Sequence, residues 1–247
     1  MTKLSVNVNK IATLRNTRTI NVPDVTRAAR ICLESGAHGI TVHPRPDQRH
    51  IRPADVHALA DLLRSFSKAE YNIEGNPFHE YMQFARAIRP TQCTLVPDTP
   101  EVFTSNQGWD LEKDAVRLRP VIDELHDLGC RVSLFMDPVV SSMDLAAATG
   151  ADRIELYTEP YATAFAAGTR EGEMERYAAA ARRASDLGLG INAGHDLNRD
   201  NLPPFLATVP DVAEVSIGHA LIADALEFGL ARTVRLYLEA IGDGGRS

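Results

Sequence analysis

The sequence predicts an α/β fold of the (β/α)8 TIM-barrel class with extra short helices, organised as one domain over residues 1–247. Three observations carry that expectation. Eight short apolar runs of strand length recur along the chain, each followed by a stretch with helical spacing of apolar residues. At 247 residues the chain has the length such a barrel needs as one unit. No Gly-rich phosphate loop follows the first strand, which argues against the other doubly wound α/β folds.

The elements follow in order. Leu4–Asn9 alternates as a first strand with Asn7 and Asn9 on one face, and Lys10, Arg15 and Arg18 come soon after. Pro23-Asp24 opens a helix through Val25, Ala28, Ala29, Cys32 and Leu33 that Gly36 ends. Gly39–Ile51, GITVHPRPDQRHI, begins as a β-branched strand and then turns over Pro44 and Pro46. A helix from Pro53 and a strand at Tyr71–Glu74 follow, the latter with Asn72 and Glu74 on one face. Pro77–Arg89 reads as a helix and Thr91–Pro97 as a strand. The long connection 98–110 after it has the length of a functional lid. The remaining strands are Arg131–Asp137, Asp152–Tyr157, Gly190–Ala193 and Val212–Ile217. Helices at 113–128, 139–149, 171–187 and 198–208 alternate with them, an extra short one falls within Thr158–Thr169, and a last one runs to about Ala240. The tail over 241–247 is expected to fray.

Composition narrows the function classes. A net charge of −7 disfavours a nucleic-acid footprint. No apolar run reaches a membrane-spanning length and MTKLSVNVNK lacks the apolar core of a secretion signal, so a cytoplasmic protein is expected. Cys32, Cys93 and Cys130 are odd in number, scattered and without metal spacing, and read as buried thiols.

Chemistry in this architecture sits at the C-terminal ends of the strands. The chain places Asn7, Asn9 and Lys10 there from its first unit, His43, Arg45 and His50 from its second, and Glu74 from its third. The long connection offers Thr104, and the last three units offer Glu155, His195 with Asp196, and Gly218 with His219. Each has a dull reading, such as Glu155 paired to Arg45 or Arg153. Three histidines and two glutamates just past separate strand ends are harder to credit to stability. Histidine moves protons near neutral pH and arginine holds phosphate, so proton transfer on an anionic substrate is the chemistry indicated. Gly194 and Gly218 follow the last two strands, where bare backbone N–H groups and a helix N-terminus bind phosphate in such barrels. One phosphate is expected there and a second near Arg45 and His50. The remaining histidines, His38, His57, His79 and His126, fall in helices or turns and read as surface residues.

Taken together, NVNKIATLRN, GITVHPRPDQRHI, NIEGNP, LVPD, IELYTEPYA, INAGHD and VSIGHALI resemble the pyridoxine 5′-phosphate synthase family of bacterial vitamin B6 biosynthesis, from Leu4 to about Ala240. The resemblance implies condensation of 3-amino-2-oxopropyl phosphate with 1-deoxy-D-xylulose 5-phosphate to pyridoxine 5′-phosphate, phosphate and water. It implies no metal, no other cofactor and a homo-octamer. It assigns acid/base work to His43, Glu74 and His195 and a transition-state-stabilising carboxylate to Glu155. The aminoketone phosphate falls to Asn7, Arg18, Gly218 and His219, and the pentulose phosphate to Arg45, His50 and Thr104.

Two departures from that pattern stand out. Asn9-Lys10 replaces the Asp-His of many members, and Asp196 replaces their Gly. In a site built for two phosphates, Lys10 is expected to act as an electrostatic ligand and not as a Schiff-base nucleophile. The runner-up function is a metal-dependent barrel isomerase or phosphodiesterase with His43, Glu74, Glu155 and His195 as ligands.

Overall fold

The computed structural model describes residues 1–99 and 105–242. The predicted strands form, as β1 (Lys3–Asn7), β2 (Gly39–Val42), β3 (Glu70–Gly75), β4 (Gln92–Leu95), β5 (Arg131–Met136), β6 (Arg153–Tyr157), β7 (Gly190–Gly194) and β8 (Val212–Ile217). They pair in sequence order, all parallel, and β1 closes on β8 to complete a barrel. The helices are α1 (Asn9–Asn16), α2 (Val25–Glu34), α3 (Pro53–Leu63), α4 (Tyr81–Ile88), α5 (Leu111–Asp127), α6 (Val140–Ala148), α7 (Glu159–Ala166), α8 (Glu171–Asp186), α9 (Leu202–Thr208), α10 (His219–Phe228) and α11 (Leu230–Ala240).

Two helices depart from the expectation. The first strand stops at Asn7 and not at Asn9, and NKIATLRN is a helix, α1, to which the sequence reading gave no element. Its apolar stripe is only Ile11 and Ala12 against the core, too sparse a periodicity to announce a helix. The single last helix is two, α10 and α11, broken at Gly229 where φ is +77°, a backbone that glycine adopts without penalty. The frayed tail expected at 241–247 lies outside the described residues from 243 onward.

Strand alternation sorts the core into two chemistries. Leu4, Val6, Ile40, Val42, Ile73, Leu95, Leu134, Ile154, Leu156 and Val215 are buried in the apolar cluster that also takes in the helices. The other parity is polar and equally buried: Ser5, Thr41, Asn72, Gln92, Thr94, Ser133, Glu155, Asn192, Glu214 and Ser216. These residues bond across the lumen between strands that are not neighbours. Gln92 Nε2 on β4 donates to Glu214 Oε1 on β8 at 3.3 Å, and Asn192 Nδ2 on β7 donates to Gln92 Oε1 at 3.2 Å. Below them Arg131 pairs with Glu70 and Lys3 with the same Glu70, closing the N-terminal end. Gln92, Asn192 and Glu214 are tolerated there because they satisfy one another, and the C-terminal end is left for the site.

Candidate active site

A cavity of about 520 Å³ opens at the C-terminal ends of the strands. Asn7, Asn9, Lys10, His43, Arg45, His50, Glu74, Glu155, His195, Asp196, Gly218 and His219 all line it, as the sequence reading expected. Arg18 does not: it is exposed on a separate shallow depression with Asn16, Thr17, Thr19, Asn21 and Arg52. Thr104 lies outside the described residues. Its neighbour Ser105 lines the cavity and donates to Asp98 Oδ2 at 2.6 Å.

The first two units are tied together by side chains. Asn7 Oδ1 accepts from the Asn9 N–H at 3.0 Å, and Asn9 Oδ1 accepts from the His43 N–H at 3.0 Å. The start of α1 therefore fixes where β2 ends and where the His43 ring stands. His43 Nδ1 lies 3.7 Å from Glu74 Oε2, and both side chains are nearly inaccessible. Burial holds the His43 ring well below the usual imidazole range, helped by the charges of Arg45, His50 and Arg49. Burial likewise pushes the Glu74 carboxyl well up, reinforced by Glu155, Asp98 and Glu214 and opposed by Arg45. Both shifts favour a carboxylic acid beside a neutral imidazole over an ion pair.

Glu155 stands opposite on β6, with its carboxyl pushed up to about 8 by burial and then by Glu214. Its Oε2 and the Ser216 hydroxyl are buried without a hydrogen-bond partner in the protein, and both residues line the cavity. Buried polar atoms without a partner are rare in folded proteins. The ion pairs that would have made Glu155 a mere lumen residue are not formed. Arg45 Nη2 instead pairs with Asp98 Oδ2 at 2.5 Å, and Arg153 Nη1 donates to Asn192 Oδ1 at 2.9 Å.

His195 and Asp196 close the seventh unit with φ of +87° and +59°, the left-handed region that side chains disfavour. Such strain concentrates at functional sites, and the φ at 196 is one that a glycine would adopt freely. His195 Nδ1 lies 2.9 Å from Asp196 Oδ2, and that bond to the ring holds the Asp196 carboxyl below its usual range. An ionised carboxylate can only accept, so Nδ1 carries the hydrogen and Nε2 is the nitrogen left for the cavity. Tyr157 packs edge-on against the same ring at 5.1 Å between centroids.

Gly194 has a different reason from the one its position suggested. A Cβ there would lie 2.4 Å from Glu155 Oε1, so the missing side chain makes room for the Glu155 carboxyl and not for an anion. Gly218 does fit the phosphate expectation, standing at the N-terminal end of α10 with Asn7 packed against it.

Cavity residues that the sequence reading missed are Thr13, Arg49, Val96, Ser105, Phe135 and Ser216. Ser216 was legible, since it shares the inward parity of Glu214. Phe135 packs with Val96 and Tyr157 in a small apolar cluster of its own, its ring tilted 51° to that of Tyr157. Among the described residues no three His, Cys, Asp or Glu side chains gather as a metal site, and no helix is long and apolar enough to cross a membrane.

A closed parallel barrel whose C-terminal rim gathers histidines and carboxyls around arginine, lysine and a helix N-terminus defines a (β/α)8-barrel enzyme. The fold is shared at low sequence identity with a tryptophan synthase alpha chain from Legionella pneumophila. That match has a TM-score of 0.65 at 14% identity and covers 100% of this chain and 94% of the other. A phosphoribosyl anthranilate isomerase from Thermotoga maritima matches with a TM-score of 0.59 at 13% identity, over 98% and 99% of the two chains. The family model of the pyridoxal phosphate biosynthesis protein PdxJ matches residues 4–243, and the chain belongs to that family. A pyridoxine 5′-phosphate synthase from Albidiferax ferrireducens is 56% identical over 248 residues, 98% of each chain. One from Xylella fastidiosa is 54% identical over 247 residues, 97% of this chain and 95% of the other.

Proposed function

We propose that this chain condenses 3-amino-2-oxopropyl phosphate with 1-deoxy-D-xylulose 5-phosphate to give pyridoxine 5′-phosphate, phosphate and water. The observation that carries the reading is the buried His43–Glu74 contact of 3.7 Å, in one cavity with Arg45 and His50 and with Gly218 at the head of α10. Such a condensation forms an imine, expels a phosphate, closes a ring through a carbon–carbon bond and aromatises. Each of these steps needs a proton given or taken alongside the bonds made and broken.

The groups are suited to it. Neutral His43 starts as a base and Glu74 as an acid, and once Glu74 has given its proton its carboxylate can take one from carbon. Glu155, with a carboxyl pushed up to about 8, holds a proton at neutral pH and can donate to a developing oxyanion. His195, steadied by Asp196, turns Nε2 to the reacting atoms from the opposite side. The aminoketone phosphate suits Asn7, Gly218 and His219 at the head of α10, and the pentulose phosphate suits Arg45 and His50. Lys10 lies close enough for its charge to act on both His50 and Asp196, which fits an electrostatic ligand between the two substrates. The experiment is to supply both substrates to the purified chain and follow pyridoxine 5′-phosphate. A folded barrel that binds both and releases none of it would overturn the reading.

A further inference from the structure

Arg15 and Asn16 end α1 outside the cavity, on a motif that the proposed chemistry does not use. Arg15 is buried and pairs with Asp55 of α3, its Nη2 donating to Oδ2 at 2.9 Å. The same Nη2 donates to the His50 carbonyl at 3.1 Å. Arg15 Nε donates to Asn16 Oδ1 at 3.0 Å, which fixes the direction of that amide. Asn16 Nδ2 is thereby turned to the β2–α3 loop, where it faces the carbonyls of Gln48, Arg49 and His50 at 3.3, 3.2 and 2.8 Å. Asp55 completes the frame by accepting from the Arg52 N–H at 2.8 Å at the start of α3.

The effect of this frame appears at His50. With the loop so held, the Ile51 N–H donates to His50 Nδ1 at 2.9 Å. A ring nitrogen that accepts cannot carry the hydrogen, so a neutral His50 is the Nε2–H tautomer. Burial and the charges of Arg45, Lys10 and Arg49 bring the ring down to about 4, so it is neutral at pH 7. Nε2–H is then a fixed neutral donor at the rim that Arg45 and Arg49 share.

We infer that Arg15 and Asn16 are positioning residues for the pentulose-phosphate end of the cavity, holding the 48–50 loop so that His50 keeps one tautomer and presents Nε2–H to the anion. The inference rests on the proposed function for the identity of that anion alone. A loose loop frees the ring to rotate or exchange tautomers, and an anion then has to order it on binding.

The test uses Asn16→Ala and Asn16→Asp, which remove the amide donors at a half-buried position and leave the buried Arg15–Asp55 pair intact. The tautomer of His50 is read by long-range proton–nitrogen NMR on the chain labelled with 15N-histidine. Steady-state kinetics are measured for each substrate. The wild type is expected to show a bare Nδ1 and a protonated Nε2, and the variants a mixture. KM for 1-deoxy-D-xylulose 5-phosphate should rise about tenfold, the scale of one hydrogen bond to a charged group. KM for the aminoketone phosphate and kcat should hold. Variants that keep the wild-type tautomer, or that lose kcat with both KM values unchanged, overturn the inference. Should the chain not turn over these substrates at all, the NMR readout alone decides, so failure of the functional reading and failure of the positioning role are told apart.

Discussion

Glu155 occupies the space that a side chain at position 194 would fill. Its Oε1 lies 2.4 Å from where a Gly194 Cβ would stand, tighter than any real contact, and the Ser216 carbonyl oxygen is 3.2 Å away on the other side. The carboxyl of β6 is thus seated against the backbone of β7, in a residue that lines the cavity. Gly194→Ala is predicted to displace Glu155 while leaving the barrel folded. A misplacement of about 1 Å in a catalytic group costs on the order of 10²-fold, so kcat should fall by that order with KM values within a few-fold. Wild-type kcat in this variant would remove Glu155 from the mechanism.

Glu155 also carries a stability signature. Its carboxyl is pushed from 4.5 up to about 8 in the folded chain, so the folded state holds a proton that the unfolded state releases. Below 4.5 both states are protonated and the group contributes nothing; as pH rises from there to about 8 its contribution becomes steadily destabilising, and it levels off above. Glu155→Gln, neutral at every pH, should therefore melt above the wild type by a margin that widens across that window. Thermal melts from pH 5 to 9 measure it, and a margin that shrinks with pH contradicts the assignment.

Arg45 and Asp98 are a buried pair at 2.5 Å. Arg45→Ala takes the countercharge from the buried Asp98 carboxylate and leaves it the Ser105 hydroxyl, a loss of up to about 3–5 kcal/mol when one partner of such a pair is removed. It also takes a charge-assisted contact from the pentulose phosphate. The double variant with Asp98→Ala should recover most of the melting temperature and none of the affinity for that substrate. Calorimetric titration beside thermal melts separates the two effects.

The barrel was legible because each strand alternates cleanly between residues buried in the apolar layer, such as Val6 and Ile40, and polar inward ones, such as Ser5 and Thr41. His43, Glu74 and His195 were legible for the same reason, as the last inward or first loop residues of their units, and Glu155 as a charged residue on the inward parity of β6. What the sequence hid depends on contacts across elements. Helix α1 is held by packing and by bonds to the 48–50 loop more than by its own periodicity. The purpose of Gly194 is visible only once Glu155 sits above it. Arg18 follows the family motif, yet lies outside the cavity that the motif suggested.

Lys10 is predicted to act through charge. Lys10→Arg keeps the charge and removes the amine, and should stay within about tenfold of wild type, whereas Lys10→Ala should lose binding at the scale of a charge-assisted contact, about 1.5–3 kcal/mol. Borohydride trapping with 1-deoxy-D-xylulose 5-phosphate, followed by peptide mapping, gives the opposing outcome: a reduced adduct on Lys10 formed at the turnover rate would make it a covalent catalyst.

The most direct measurement is NMR of the purified chain mixed with both substrates in the presence of a chelator, run in parallel on Glu74→Gln and His43→Ala. The wild type should give pyridoxine 5′-phosphate and free phosphate in equal amounts. Each variant should remain folded and run about 10²–10⁴-fold slower, as for the loss of one proton-transfer group. A turnover that the chelator abolishes and one stoichiometric metal ion restores, or variants as fast as the wild type, would contradict a site that works through His43 and Glu74.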